Sequence, residues 1–373
     1  MKNTVTKLFL AAILVVVSTE VLAAYKGTED ITATDDYAST LEVIRPLAAK
    51  GDAEAQFLLG EMHEKGQGVP RNNNEAVSWY RKSAEQGYAK AQNNLGDMYY
   101  NGNGVPLDYK EAMHWYRRAA AHGNADSQNN LGELYYKGYG ISQDYKEAME
   151  WFRKAAENGN VDAQYNLGEM YYNGNGVSRN HKEAMKWFRK AADQRDAEAQ
   201  YFLGWMYYKG EGGPQDYKEA MLWFRKAAEL NHPDAQVCVG WLFQKGMGVA
   251  QDYQQALFWY LRAETRNSEA QNNLGEMYQN GLGVPQDDKE AVSWYQKAAE
   301  RKNVEAQFRL GSMYEQGKGV PQDLLLAHMW FSLAAAAGDK DALKSIKNAE
   351  TKMTAQQIEK SQEMNKEWLE EHK

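Results

Sequence analysis

Carboxylates, histidines, glycine-rich turns and a single cysteine are the residues of this 373-residue chain that could carry chemistry. Paired carboxylates could act as general acid and base, and histidines could bind a metal ion. The carboxylates, however, recur about every 36 residues at equivalent places in the sequence. A catalytic pair is local and singular, so this recurrence predicts helix caps instead.

The other candidates do not combine into a catalytic or metal site. The NGNGV turns lack the Lys-Ser/Thr pair of a phosphate loop and follow no strand. His114 and His122 are about 12 Å apart along a helix, which is too far for one ion to bridge. Cys238 has no histidine nearby, so we predict a packed thiol, with a reactive or intermolecular thiol as the alternative. The sequence predicts no enzyme, no cofactor and no metal.

All of these residues belong to one unit that repeats along the chain. A glutamine recurs at intervals of 36 residues, with one interval of 35, at Gln56, Gln92, Gln128, Gln164, Gln200, Gln236, Gln271 and Gln307. A glycine follows it four residues later, and a tryptophan recurs from Trp79 to Trp330. The missing residue lies between Trp259 and Gln271, where we expect a shorter loop.

Each repeat is predicted to form two helices, A and B. In residues 163–172, Ala163, Leu167 and Met170 share one helical face, and a glycine-rich turn then ends helix A. Helix B begins at an Asp or Asn, and a Glu or Gln three residues later predicts reciprocal capping. The recurring tryptophan is predicted to be core, with a row of ligand-stacking rings as the alternative. The recurring glycine predicts a close approach of the two helices.

The first 23 residues predict a secretory signal peptide. Lys2 and Lys7 precede the apolar run LFLAAILVVV, and small residues before Ala24 offer a cleavage site. The run is shorter than the ~20 residues of a membrane-spanning helix, which favours a signal peptide over the alternative, a membrane anchor. We expect an exported mature chain without a membrane span, located in the periplasm, on the cell surface or outside the cell.

The ends of the array depart from the repeat, as the ends of solenoids do. Thr354 and Gln357 predict the capped start of a last helix. The predicted organisation is a signal peptide at 1–23, a flexible segment at 24–35, an N-terminal half-repeat at 36–51, the repeat array at 52–350 and a capping helix at 351–373. The predicted fold is an all-α solenoid of about eight 36-residue helix-turn-helix repeats.

The repeated motif A-x-A-x-x-x-L-G-x-M-Y-x-x-G-x-G-V resembles the Sel1-like repeat family, a relative of the tetratricopeptide repeats. The resemblance covers about residues 36–350 and implies a right-handed superhelix with helix A on its concave side. It also implies a protein-binding scaffold. The layout is similar to that of secreted bacterial Sel1-repeat virulence proteins, which bind host proteins and promote entry or vacuole trafficking. A single cysteine departs from the branch of the family with two cysteines per repeat.

Partner binding is predicted on the face of helix A that points away from the core. A helical wheel places Tyr165, Glu169 and Tyr172 about 180–240° from the core residue Ala163. Most repeats have an acidic residue at the Glu169 position, but two repeats have tryptophan there. The predicted partner-binding residues are Tyr165, Tyr172, Tyr201, Trp205, Tyr208, Val237, Trp241 and Gln244. The alternative is that these aromatic rings pack on the neighbouring repeat.

The composition narrows the class of partner. A formal net charge of −8 argues against a general nucleic-acid binder, which carries a basic patch or stripe. We expect an exported scaffold whose concave groove accepts an apolar, basic-flanked peptide or a protein edge of a host-cell protein. A periplasmic scaffold or regulator of envelope proteins and a glycan-binding repeat protein are the alternatives.

Overall fold

A computed structural model describes residues 34–372, so the predicted signal peptide and most of the predicted flexible segment lie outside the described residues. The described residues form nineteen helices and no strand, as the all-α prediction requires. They are α1 Thr34–Ala49, α2 Ala53–Lys65, α3 Asn73–Glu85, α4 Ala89–Asn101, α5 Tyr109–Ala121, α6 Ala125–Lys137, α7 Tyr145–Glu157, α8 Val161–Asn173, α9 His181–Asp193, α10 Ala197–Lys209, α11 Tyr217–Glu229, α12 Pro233–Lys245, α13 Tyr253–Ala263, α14 Ser268–Asn280, α15 Asp288–Glu300, α16 Val304–Gln316, α17 Leu324–Ala336, α18 Lys340–Glu350 and α19 Ala355–Glu371.

The chain divides into two compact units after Lys190, here called the N-terminal unit and the C-terminal unit. Within each unit, helix A packs on the helix B that follows, and helix B packs on helix A of the next repeat. The even-numbered helices α2 to α16 are the A helices of repeats one to eight, and the odd-numbered helices α3 to α17 are their B helices. This consecutive packing is that of an α-solenoid.

The recurring glycine marks the closest approach of helices A and B. A Cβ added to Gly132 would lie 2.5 Å from Cδ1 of Phe152, which is 1% exposed. The other repeats place their glycine in the same way against a buried Tyr or Phe ring of helix B. The predicted close approach is confirmed, because only a residue without a side chain leaves room for this ring.

The recurring glutamine joins each repeat to the one before it. The side-chain amide of Gln164 donates a 3.2 Å hydrogen bond to the carbonyl of Ala156, and that of Gln236 donates one of the same length to Ala228. Both acceptors lie in the last turn of the preceding helix B, whose carbonyls have no partner within the helix. The glutamine can be buried because its side-chain amide donates to a backbone carbonyl of the preceding helix B.

Helix B is capped by its Asp or Asn, but not reciprocally as predicted. The Asp144 carboxylate accepts hydrogen bonds from the backbone N–H groups of Lys146 and Glu147, at 2.9 and 3.1 Å. The N–H of Asp144 itself donates to the carbonyl of Tyr135 in helix A, at 2.9 Å. The predicted hydrogen bond from the Asp144 N–H to the Glu147 side chain is therefore wrong, because that N–H already donates to helix A.

The repeated tryptophan lies in the core or at its edge. Five of these residues are buried, namely Trp115, Trp223, Trp259, Trp294 and Trp330, and the other three are half-buried. In repeats one to seven, a Lys or Arg one turn later lies over the indole, as Lys226 does 3.8 Å from the ring centroid of Trp223. The ring is thus covered on its outer side by a charged side chain and is not presented as a stacking surface.

Two local departures from the repeat have structural consequences. The residue missing after Trp259 shortens helix B of repeat six to 11 residues, from the usual 13, and leaves the connecting loop no shorter, so the predicted shorter loop is wrong. At the C-terminal end, α19 begins with a reciprocal capping box between Thr354 and Gln357, as predicted. Its Trp368 packs at 70° to Trp330, with centroids 5.8 Å apart.

Candidate protein-binding site

The C-terminal unit contains a cavity of about 310 Å³ between the A helices of repeats five, six and seven. Five of the predicted partner-binding residues line it: Tyr201, Trp205 and Tyr208 from α10, and Val237 and Trp241 from α12. Phe224 and Leu242 form its buried floor. We call this space the aromatic cavity, because four tyrosine and tryptophan rings and one phenylalanine ring line it.

The rings of the aromatic cavity hold one another in place. Trp205 stacks on Tyr208 with centroids 5.4 Å apart at 27°, and Tyr208 meets Trp241 edge-on at 5.7 Å. Tyr201 stacks on His232 at 4.7 Å. These rings are half-buried, so they combine a fixed geometry with accessible surface.

Charged residues line the same cavity at the two ends of these helices. Asp234 and Glu269 are exposed in the first turns of α12 and α14, and Lys209 is exposed in the last turn of α10. Cys238 also lines the cavity, and burial, followed by the charges of Glu269 and Asp234, raises the pKa of its thiol. The thiol therefore stays protonated, which agrees with the predicted packed thiol and disfavours a reactive one.

Two of the predicted residues offer almost no surface to a partner. Val237 is 4% exposed and Gln244 is 5% exposed. The amide oxygen of Gln244 accepts a 2.7 Å hydrogen bond from the Tyr260 hydroxyl, and its amide group donates to Glu276. Both side chains are therefore largely used by the framework, and a partner contact for Val237 and Gln244 stays a prediction.

Tyr165 and Tyr172 lie in the N-terminal unit and do not line the aromatic cavity. Tyr165 packs on the ring of Phe188, and Tyr172 stacks on His181, the first residue of helix B in its own repeat, at 4.9 Å. Tyr208 has an equivalent contact with Tyr217. The recurring tyrosine at this position therefore packs within its own repeat and also contacts the next one, as Tyr208 does with Trp241 and as Tyr136 does by accepting a 2.9 Å hydrogen bond from Asn175. A partner contact for Tyr165 and Tyr172 stays a prediction.

Comparison with known proteins places this geometry in a family. The Sel1 repeat family model matches eight consecutive segments: 53–88, 89–124, 125–160, 161–196, 197–232, 233–267, 268–303 and 304–339. The chain belongs to the Sel1 repeat family. A Sel1 repeat protein from Oxalobacter formigenes has a similar structure at 33% identity, with a TM-score of 0.63 over 88% of this chain and 92% of that one.

A second structure with a similar fold is a protective antigen present in uropathogenic Escherichia coli strains. It shares 31% identity, with a TM-score of 0.52 over 95% of this chain and 92% of that one. Among curated proteins no match was found. Sel1 repeats generally mediate protein–protein interaction and form scaffolds that are generally not catalytic.

Sequence reasoning missed the charged residues that belong to the aromatic cavity. Asp234 and Glu269 each occupy the second position of helix A, where most Sel1 repeats of this chain have an acidic residue. That repetition suggested a helix-terminal role, and a first-turn carboxylate does favour a helix N-terminus. The signal that could have singled them out is that Asp234 lies on the helix that carries Trp241 and that Glu269 has the same position in the next repeat.

One Ser-His-Glu arrangement lies beneath the last helix. His328 Nδ1 is 2.9 Å from Oγ of Ser361, and its Nε2 is 3.5 Å from a carboxylate oxygen of Glu350. Ser361 is fully buried, and its hydroxyl donates to the carbonyl of Leu325 at 3.0 Å. Because no substrate can reach this serine, the network packs α19 against α17 and does not form a nucleophile.

Between residues 34 and 372, no group of His, Cys, Asp and Glu side chains has the arrangement of a metal site. Over the same residues, no helix combines the length and apolar character needed to cross a membrane. The aromatic cavity thus remains the most distinctive candidate site of this Sel1-repeat chain.

Proposed function

We propose that the protein is an exported, non-enzymatic scaffold that binds a partner protein through the aromatic cavity. The observation that carries this proposal is the presence of Trp205 and Trp241 where helix A of most other repeats has a carboxylate. Half-buried tryptophan and tyrosine rings beside a charged rim are the composition in which protein interfaces concentrate binding energy. The general role of Sel1 repeats in protein–protein interaction supports the same reading.

We further propose that the partner is a host-cell protein and that binding promotes host-cell entry or vacuole trafficking. The sequence of residues 1–23 supports export. The similar Escherichia coli protein is a protective antigen of uropathogenic strains, which supports contact between such proteins and a host. Detection in the culture supernatant or on the cell surface would support this location, whereas retention in the periplasm would refute it.

The binding proposal is tested by affinity capture with three forms of the exported chain. The first is unmodified, the second carries Trp205→Ala and Trp241→Ala, and the third carries Glu133→Ala and Glu169→Ala. The third form is the matched control, because it changes the same helix-A position in two repeats of the N-terminal unit. Each form is incubated with host-cell lysate and, separately, with bacterial envelope extract, and its circular dichroism is compared first.

The expected result is a host protein retained by the unmodified chain and by the control but lost from the double tryptophan variant. An envelope protein with the same pattern would assign the scaffold to the bacterial envelope. A glycan with the same pattern on a glycan array would replace the protein partner. Equal capture by all three forms would refute a role for the aromatic cavity.

A further inference from the structure

We infer that the aromatic cavity accepts a cationic side chain, an arginine or lysine of a basic peptide, between the rings of Trp205 and Trp241 and the carboxylates of Asp234 and Glu269. This inference rests on the proposed function, because it names the chemistry of the partner at the same cavity. Aromatic faces attract cations through their negative π surface, and carboxylates supply the opposite charge. All four residues line one cavity.

The two carboxylates are not neutralised by the chain itself. The amide of Asn267, which is uncharged, donates a 2.6 Å hydrogen bond to Asp234. Within residues 34–372 no side chain hydrogen-bonds or forms an ion pair with the Glu269 carboxylate. Burial, followed by the charge of Asp234, raises the pKa of Glu269. A cation placed between these groups would relieve the repulsion by Asp234 that contributes to the raised pKa of Glu269.

The N-terminal unit contains an equivalent cavity whose acidic residues are accompanied by a lysine. A cavity of about 290 Å³ between repeats one and three is lined by Glu54, Lys90 and Asp126, which are the second residues of α2, α4 and α6. The pKa of Glu54 is raised by burial and by Asp52, and the positive charge of Lys90 opposes this. In the corresponding middle position, the aromatic cavity has Asp234 instead of a lysine.

The last turn of helix A shows a second difference. In a cavity of about 200 Å³ in the N-terminal unit, the Lys137 ammonium forms a 2.6 Å ion pair with Glu133, four residues earlier. Lys209 has the same position, but the residue four places earlier is Trp205, and its ammonium lies 4.8 Å from that ring centroid. Lys209 lies in the last turn of its helix A, whereas Asp234 and Glu269 lie in the first turns of theirs. Because a 13-residue helix is about 20 Å long, Lys209 is not positioned to pair with these carboxylates.

The aromatic cavity therefore combines two carboxylates without a cationic partner with the rings of Trp205, Tyr208 and Trp241. The Lys209 ammonium already lies 4.8 Å from the Trp205 centroid and 5.4 Å from that of Tyr208, so an incoming cation must share or replace that contact. An arginine or lysine suits both parts, because its apolar stem can lie along the rings while its charged head reaches the carboxylates. A guanidinium group can also stack on an indole and bind a carboxylate through two hydrogen bonds. A neutral side chain of the same shape would gain the contact with the rings only.

The test is a peptide array probed with the exported chain in variant forms. Each peptide has a central arginine between randomised flanks and is printed beside a twin in which citrulline, which is uncharged, replaces that arginine. The key variant is Asp234→Lys, which gives repeat six the residue that repeat two has naturally and so is expected to fold. The matched control is Asp126→Lys, which makes the same charge change at the same helix position and also removes a side-chain hydrogen bond, from Asn160.

The expected result is a set of arginine peptides whose binding falls by about tenfold in the citrulline twins and with Asp234→Lys, but much less with Asp126→Lys. The double Trp205→Ala, Trp241→Ala variant should lose the same peptides. Equal binding of arginine and citrulline twins, or an equal loss with both lysine variants, would overturn the inference. If the captured partner protein is lost from the double tryptophan variant but kept by Asp234→Lys, the inference fails while the proposed function stands.

Discussion

The contact between helix A and helix B at Gly132 allows a quantitative prediction. In Gly132→Ala, the new methyl carbon would lie 2.5 Å from Cδ1, 2.6 Å from Cε1 and 3.0 Å from Cγ of Phe152. Carbon atoms in contact are normally about 3.5–4.0 Å apart, so the two helices must separate by about 1 Å. Alanine is favoured over glycine within a helix by about 0.5–1 kcal/mol, but overpacking a core costs about 1–3 kcal/mol. These two terms leave a net cost of about 0–2.5 kcal/mol, and we expect the free energy of unfolding to fall by about 1 kcal/mol, near the middle of that range.

The assay is urea unfolding followed by far-UV circular dichroism, with two further variants beside the first. Gly213→Ala adds a methyl group where no other atom lies within 4 Å, so we expect no loss of stability. Adding Phe152→Leu to Gly132→Ala should recover part of the loss, because leucine leaves room beside the new methyl group. A Gly132→Ala chain as stable as the unmodified one would show that the ring adjusts freely and that the glycine is not needed for packing.

Three further predictions concern other parts of the chain. Burial raises the pKa of Asp97 from 3.8 to about 6, so the folded chain binds this proton more strongly than the unfolded chain. The free energy of unfolding should therefore rise by about 2 kcal/mol as the pH falls from about 7.5 to about 4.5. Asp97→Asn should remove this rise, measured by urea unfolding at both pH values. Asp144→Ala should cost about 1 kcal/mol in urea unfolding and Glu147→Ala much less, because the first caps the helix and the second does not; equal losses would restore the reciprocal cap. Trp368→Ala should speed hydrogen exchange around Trp330 by exposing that ring, and unchanged exchange would mean that α19 does not protect it.

The fold could be predicted from the sequence because each signal is local and repeated. Helix periodicity, the αL glycine that ends helix A and the Asp that begins helix B all act within a few residues. The C-terminal glycine of α8, Gly174, has φ 80° and accordingly stands where the sequence predicted the end of the helix. Repetition over eight units then separates framework positions from variable ones.

The errors arose where the answer depends on a second helix. The helical wheel assigned Gln244 to the outer face of its own helix, but the Tyr260 hydroxyl of helix B binds and buries its side chain. A comparison between repeats could have shown this, because Gln279 and Tyr295 form the same pair in repeat seven. The acidic rim of the aromatic cavity was missed for a related reason: Asp234 and Glu269 are 35 residues apart, and only the stacking of repeats brings them together.

The shortened helix B of repeat six predicts where the C-terminal unit would open first on unfolding. In a linear array each repeat is held by its neighbours alone, so the junction with the least buried length sets where cooperative unfolding divides the chain into blocks. Helix α13 ends two residues early, just before α14, which carries Glu269. Opening at this junction would take Glu269 away from the other walls of the aromatic cavity. A ligand that contacts α10, α12 and α14 together would therefore act as a clamp, and its affinity and the local stability of repeat six would rise and fall together.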